Sequence, residues 1–372
     1  MAFQYEVIKL KRSDDRGVPG PKSPSPQVPG PNTTGPKSPG PEAPSPKSPG
    51  PKSPGPEVPS PQATGQETTG PEAADREITG LEITGWSGGA RKLAVPETID
   101  SLPVLSIGRH AFTEQHRGLE EVILPASIRV IRAFSFYFCP DLRKITLWDG
   151  VEDYYDGALR TSAGVREICL NMGCGRYELA RRILEDSDRR LRISFTYPDA
   201  PEETLTLIFP DYENSSIEDT RAQTFHFRID GSGFSYRECV RNDGIRIKEY
   251  DGLFGRALSA DNENVSAEIA ASRLLHPAGL SPEAAESYRS HLRANMPRAI
   301  RLAMLPENED WPELFMRERL LSEEDIALAL EEAGTRKLPA LAGALMEYRR
   351  QQFGAPSAAA APLSLGGLDE LL

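Results

Sequence analysis

Three short apolar segments recur at a fixed interval, and that interval constrains the fold more than any other feature of the chain. Glu-Val-Ile-Leu-Pro at 121–125, Lys-Ile-Thr-Leu-Trp at 144–148 and Glu-Ile-Cys-Leu-Asn at 167–171 each hold two apolar residues two apart. The pairs are Val122/Leu124, Ile145/Leu147 and Ile168/Leu170, spaced by 23 residues each time. Leu119, Leu142 and Val165 precede them by three. An earlier segment, Lys-Leu-Ala-Val-Pro at 92–96, carries the pair Leu93/Val95. Alternation with period two marks a half-buried strand, and a repeat of this length marks a stacked array. One unit cannot bury its apolar face alone, but stacked units share a continuous core.

A second piece recurs between the strands. Ser-Ile-Gly-Arg-His-Ala-Phe at 106–112 matches Val-Ile-Arg-Ala-Phe-Ser-Phe at 130–136, and a degraded copy, Asp-Tyr-Tyr-Asp-Gly-Ala-Leu, stands at 153–159. Phe112, Phe136 and Leu159 are expected to fill the convex side of the core. The alternation turns Lys92, Ala94, Glu121, Ile123, Lys144, Thr146, Glu167 and Cys169 outward on the strand face.

These units resemble the bacterial BspA-type leucine-rich repeat, whose unit runs strand, Leu/Ile-Pro, Ile-x-x-Ile-Gly, Ala-Phe, then a Cys before the next Leu. Cys139 occupies that Cys position. The first unit is six residues longer, through Asp-Ser-Leu-Pro-Val. The third departs, with Trp148 in place of Pro and Tyr154-Tyr155 in place of Ile-Gly, which suggests a capping unit. The resemblance covers about a quarter of the chain, residues 90–172. It implies a bacterial source and a recognition role. It also implies that Tyr5–Ile8 and Leu81–Trp86 are the two strands that enter the solenoid, with the proline tract an insertion between them.

That insertion, residues 13–75, holds most of the 33 prolines, in units such as Pro-Lys-Ser-Pro-Gly-Pro and Pro-Glu-Val-Pro-Ser-Pro. Proline removes amide donors and fixes φ, and almost nothing apolar is present to offset ordering entropy. The expectation is a disordered, polyproline-II-rich spacer. Residues 1–12 alternate as one strand pairing with the solenoid.

Residues 173–260 read as a mixed, β-rich region, with a short helix near Tyr177–Leu184 and strands at 191–197, 204–209 and 224–229. Residues 261–353 switch to helical period. Ser281-Pro282-Glu283 and Ser322-Glu-Glu-Asp325 are helix starts. Ile326, Ala329, Leu330 and Ala333 form an apolar stripe, which Gly334 is expected to end. Leu338, Leu341, Ala342 and Leu345 mark the next helix. This helix pair is similar to the hairpin of ankyrin-like repeats. The tail, 354–372, reads as disordered.

Chemistry finds little support. Gly85-Trp-Ser87-Gly-Gly89 matches a nucleophile elbow, but a strand rather than a helix follows it. Cys169 and Cys174 have no second pair to complete a zinc site. Asp230-Gly-Ser-Gly lacks the length and the Lys-Ser/Thr of a phosphate loop. No catalytic, cofactor or metal residue is assigned. Net charge of −12 disfavours nonspecific nucleic-acid binding. No apolar run is long enough to span a bilayer, and no signal peptide is visible, so the expected place is the cytoplasm.

The expected architecture is α+β: a short leucine-rich-repeat solenoid of about four units with a parallel sheet (76–172), a β-rich middle, a C-terminal helical region and a long disordered Pro-rich segment. The expected function is non-catalytic scaffolding, with an unidentified protein as partner and neither nucleic acid nor membrane. Lys92, Glu121, Ile123, Lys144, Thr146 and Glu167 would form its binding face. Glu152, Asp153, Tyr154 and Tyr155 form a second candidate on the rim. The alternatives are an enzyme with its site in residues 173–353, which a buried carboxylate pair would favour, and a surface adhesin, which export would favour.

Overall fold

The structure is a computed structural model that describes residues 2–11, 77–113, 118–159, 162, 164–219 and 224–354. The Pro-rich segment at 13–75 and the tail from 355 lie outside the described residues. In chain order the first elements are β1 (Ala2–Lys11), β2 (Glu77–Ser87), β3 (Lys92–Ala94), β4 (Thr98–Ile99), β5 (Leu102–Ile107), β6 (Glu121–Ile123) and β7 (Val130–Ile131). Then come β8 (Lys144–Trp148), β9 (Asp153–Tyr154), β10 (Glu167–Asn171), helix α1 (Glu178–Asp186), β11 (Leu191–Thr196) and β12 (Leu205–Phe209).

The chain alternates between two sheets. The front sheet is β12-β11-β10-β8-β6-β3, parallel except for β12, which runs antiparallel outside β11. The back sheet is β1-β2-β5-β7-β9, parallel from β2 to β9, with the hairpin strand β4 on β5. The result is a parallel-sheet solenoid of about five turns. Leu93, Val122, Ile145, Ile168 and Ile193 are buried in register on the inner side of the front sheet. Phe112 and Phe136 stack at 5.3 Å behind them, and Leu159 is buried as expected. Cys139 is buried with its Sγ 3.4 Å from the Phe112 carbonyl, and burial pushes its thiol up to about 12.

The front sheet does not stop at residue 172. β11, expected in a separate middle region, is its fifth parallel strand, and β12 is its antiparallel edge. The interval from Ile168 to Ile193 is 25 residues, not 23, because α1 replaces the turn-rich back of that unit. The third unit is therefore not the cap of the array. It is where the back sheet ends. Asp186, at the end of α1, accepts hydrogen bonds there from the Tyr154 hydroxyl (2.9 Å) and the amides of Gly157 (2.7 Å) and Leu159 (2.9 Å).

Beyond β12 lie the hairpin β13 (Glu213–Asp219) and β14 (Thr224–Asp230), helix α2 (Gly233–Arg237), and the short pair β15 (Val240–Arg241) and β16 (Gly244–Ile245). Helices α3 (Ile247–Gly252), α4 (Phe254–Ala260), α5 (Glu263–Leu275), α6 (Pro282–Ala294), α7 (Met296–Ala303), α8 (Trp311–Arg317), α9 (Glu323–Thr335) and α10 (Pro339–Phe353) follow. Helix α5 packs on β12 and closes the sheet. Ser272 Oγ donates to the Thr206 carbonyl at 2.7 Å. The Tyr250 hydroxyl donates to the Ile208 carbonyl at 2.7 Å and accepts from the Ile208 amide at 3.0 Å. Backbone groups of the edge strand thus find side-chain partners.

The helix starts read from the sequence are present. Ser281 caps α6, and Ser322 and Asp325 form a reciprocal capping box on α9. Gly334 does not end α9, which runs on through Thr335. The left-handed residue is Lys337 (φ 58°), and Leu338 N donates back to the Ala333 carbonyl at 2.9 Å. The Schellman-like turn falls three residues past the glycine. Leu338 lies outside the stripe, 37% exposed.

Candidate recognition site

Parallel pairing without offset brings Lys92, Glu121, Lys144, Glu167 and Arg192 into one row across the front sheet. The charges alternate in sign. Lys92 Nζ lies 2.9 Å from Glu121 Oε2, and Lys144 Nζ lies 3.7 Å from Glu167 Oε2. Beside this row runs a second, formed by Ala94, Ile123, Thr146, Cys169 and Ser194, with Thr206 opposite Ser194 on β12. Apart from Ile123 these side chains are short, so the second row is a shallow trough along the charged one. Every strand-face residue expected to point outward does so, exposed or half-buried, while its neighbours Leu93, Val122, Ile145 and Ile168 are buried.

The helical region closes one end of this face. Arg192 Nη2 donates to Asn308 Oδ1 at 2.6 Å, and its Nη1 to the Glu307 carbonyl. A cleft of about 570 Å³ lies between strands and helices. Its floor includes Lys144, Glu167, Cys169, Arg192, Ser194 and Thr206, and its wall Ser272, His276, Glu307, Asn308, Asp310 and Trp311. Lys92, Glu121 and Ile123 lie outside it, on the open part of the face.

Burial and neighbouring charges set the protonation of the groups that line the cleft. Burial pushes the Cys169 thiol up, with Lys144 opposing, so it is held protonated and weakly nucleophilic. Burial draws Lys144 down, but Cys169, Glu167 and Glu121 outweigh it and hold the ammonium above its usual value. Burial draws His276 below its ordinary value and keeps its ring neutral. Ser87, the serine of the G-x-S-x-G match, is exposed at the end of β2, its Oγ 3.3 Å from the Ala2 carbonyl, and the next element is β3. Among the described residues no three His, Cys, Asp or Glu side chains converge as a metal site. No helix among them is long and apolar enough to cross a membrane.

The rim cluster is divided. Tyr154 turns inward, 5% exposed, to Asp186. Tyr155 turns outward, 44% exposed, with the Arg132 guanidinium 5.5 Å from its ring centre. Glu152 and Asp153 are exposed, and Glu152 faces Arg129 at 3.8 Å. Sequence reasoning missed Arg192 and the helical wall. The Leu191/Ile193/Phe195 alternation carries the signal for Arg192, since it repeats the strand pattern of the preceding units.

No family model matches the chain, and no curated protein does. Among solved structures it is similar to a leucine-rich-repeat protein of T. pallidum, at 23% identity over 24% of this chain and with a TM-score of 0.16. The match spans 64% of that protein's length. The repeat architecture described above rests on the strand ladders themselves.

Proposed function

We propose that the chain is a non-catalytic recognition protein that holds a protein partner against its front sheet, with the cleft at the β11 end as anchor. The observation that carries this reading is the outward row of alternating charges beside a trough of small side chains. Such a surface offers polar complementarity and room for a partner's backbone, and it lacks the clustered cations that phosphates require. The sequence resemblance to BspA-type repeats supports a bacterial protein, and the cytoplasm is the compartment we propose. The α9–α10 hairpin is read as ankyrin-like on the same footing.

A photo-crosslinker at Thr146 of the full chain, expressed in its native cell, tests the proposal. The expected result is one predominant cross-linked protein, lost when Glu121→Lys, Lys144→Glu and Glu167→Lys are combined in a variant whose circular dichroism is unchanged. No cross-link at Thr146, or one indifferent to the reversals, overturns the reading.

A further inference from the structure

The charged side chains that line the cleft between the front sheet and the helices do not balance. Glu167, Glu307, Glu309 and Asp310 stand against Lys144 and Arg192. Four carboxylates against two cations leave two negative charges in excess. Lys144 is already matched by Glu167 at 3.7 Å. The Arg192 guanidinium is held by the Asn308 side chain and the Glu307 backbone carbonyl, both neutral acceptors. Glu307, Glu309 and Asp310 are exposed on the turn that leads into α8. No lysine or arginine among the described residues pairs with their carboxylates.

A buried acceptor adds to this excess. Glu268 and Ser272 are one turn apart on α5, on the side that faces the strands. Ser272 belongs to the cleft wall and bonds Thr206, while Glu268 pairs with Arg190 through Oε1. Glu268 is 4% exposed, and its Oε2 has no hydrogen-bond partner among the described residues. Its charge acts on Arg192 and Glu307, both of the cleft. A buried carboxylate oxygen without a donor is destabilising, and a donor from a ligand relieves it. Leu275, Pro306 and Trp311 supply apolar surface beside the carboxylates. A bare metal ion makes no use of such surface. A cationic head on an apolar stem uses both parts.

We infer that the cleft takes a cationic side chain, an arginine or a lysine, that projects from the partner protein. Its stem lies on Leu275, Pro306 and Trp311, and its head meets Glu307, Glu309 and Asp310. This rests on the front sheet being the face that holds a partner. The two are continuous, since Cys169, Ser194 and Thr206 belong both to the trough and to the cleft floor. A partner segment lying in the trough therefore carries its basic residue at the end that reaches β11.

The probes are acetyl-Gly-Arg-Gly-amide, its lysine analogue and its citrulline analogue, which keeps the arginine shape without the charge. The full chain has 3 tryptophans, and Trp311 is the one that lines the cleft. Its indole N–H signal in nuclear magnetic resonance is the readout. A cationic peptide is expected to shift that signal saturably, and the citrulline peptide to leave it in place. Glu307→Gln with Asp310→Asn should weaken the binding about tenfold, a loss of about 1.4 kcal/mol. Glu324→Gln with Glu331→Gln removes the same charge from exposed positions on α9 and should leave binding unchanged. Circular dichroism checks that both variants remain folded. Binding of neither cationic peptide, equal binding of the citrulline peptide, or equal loss in both variants overturns the proposal and leaves the front face to its own Thr146 cross-link. Cationic-peptide binding with no Thr146 cross-link overturns the partner reading instead, and the protein-borne side chain falls with it.

Discussion

His276 and His291 are both drawn below their ordinary value, chiefly by burial. His291 Nε2 lies 3.1 Å from Ser266 Oγ, and Phe254 meets its ring edge-on. Unfolded, each ring takes a proton as pH falls through about 6.5. Folded, each resists until lower pH. The unfolded state therefore binds more protons in that window, and stability falls with acidification. The contribution of each neutral ring is fully present above the unfolded value and is lost as pH drops through the folded one. Urea midpoints measured from pH 7.5 to 5.5 are expected to decline. The decline should be shallower in a His276→Gln, His291→Gln variant, which has no ring to protonate. Another single residue with a wide reach is Arg237. Its guanidinium donates to the carbonyls of Ser187, Arg189, Pro210 and Gly233, with no carboxylate among these partners. Burial lowers it to about 10. It ties the ends of α1, β12 and α2 together through backbone alone.

Strand β8 shows how local alternation divides work between neighbours. Leu147 is 2% exposed inside the core, while Thr146 faces the trough. Leu147→Ala is expected to cost about 3 kcal/mol, since large-to-small core changes leave cavities. Thr146→Ala should cost under about 0.5 kcal/mol and act on binding instead. Denaturant titration of both variants checks the contrast. The same alternation made β6, β8 and β10 legible through their 23-residue interval, and β3 through a segment, Lys-Leu-Ala-Val-Pro, that matches Glu-Val-Ile-Leu-Pro of β6. β11 was legible as a strand but not as a fifth rung, since α1 takes the place of the recurring turn-rich piece between it and β10. The wall of the cleft was not legible at all. Asn308 meets Arg192 from 116 residues away, and no local pattern encodes that approach. The end of α9 was misplaced for a different reason: a glycine in the last turn offers the left-handed conformation, but the chain takes it at Lys337.

Across the whole molecule, the solenoid and the helices share one core. Buried residues run without a break from Ile83 through Leu147 and Phe209 to Tyr288 and Leu345. The Arg190–Glu268 ion pair, the Arg192–Asn308 bond and the Ser272–Thr206 bond join strands to helices along this seam. Thermal unfolding followed by near- and far-ultraviolet dichroism is expected to show one coincident transition. A chain ended after Thr196 should lack it, because Ile193 and Phe195 would lose the strand and helix that cover them. Two separated transitions in the full chain would contradict a shared core.

The hydroxyl of Tyr250 on Ile208 and that of Ser272 on Thr206 have a bearing on growth. A parallel ladder open at both ends can template further copies without limit, and that is the route to fibres. Here one end is an antiparallel strand on which side chains engage the Thr206 carbonyl and both the amide and the carbonyl of Ile208. Among the described residues, the other end of the front sheet is the three-residue β3 edge. Two molecules meeting there would leave no vacant rung on that sheet, so front-sheet growth by this route terminates at a pair.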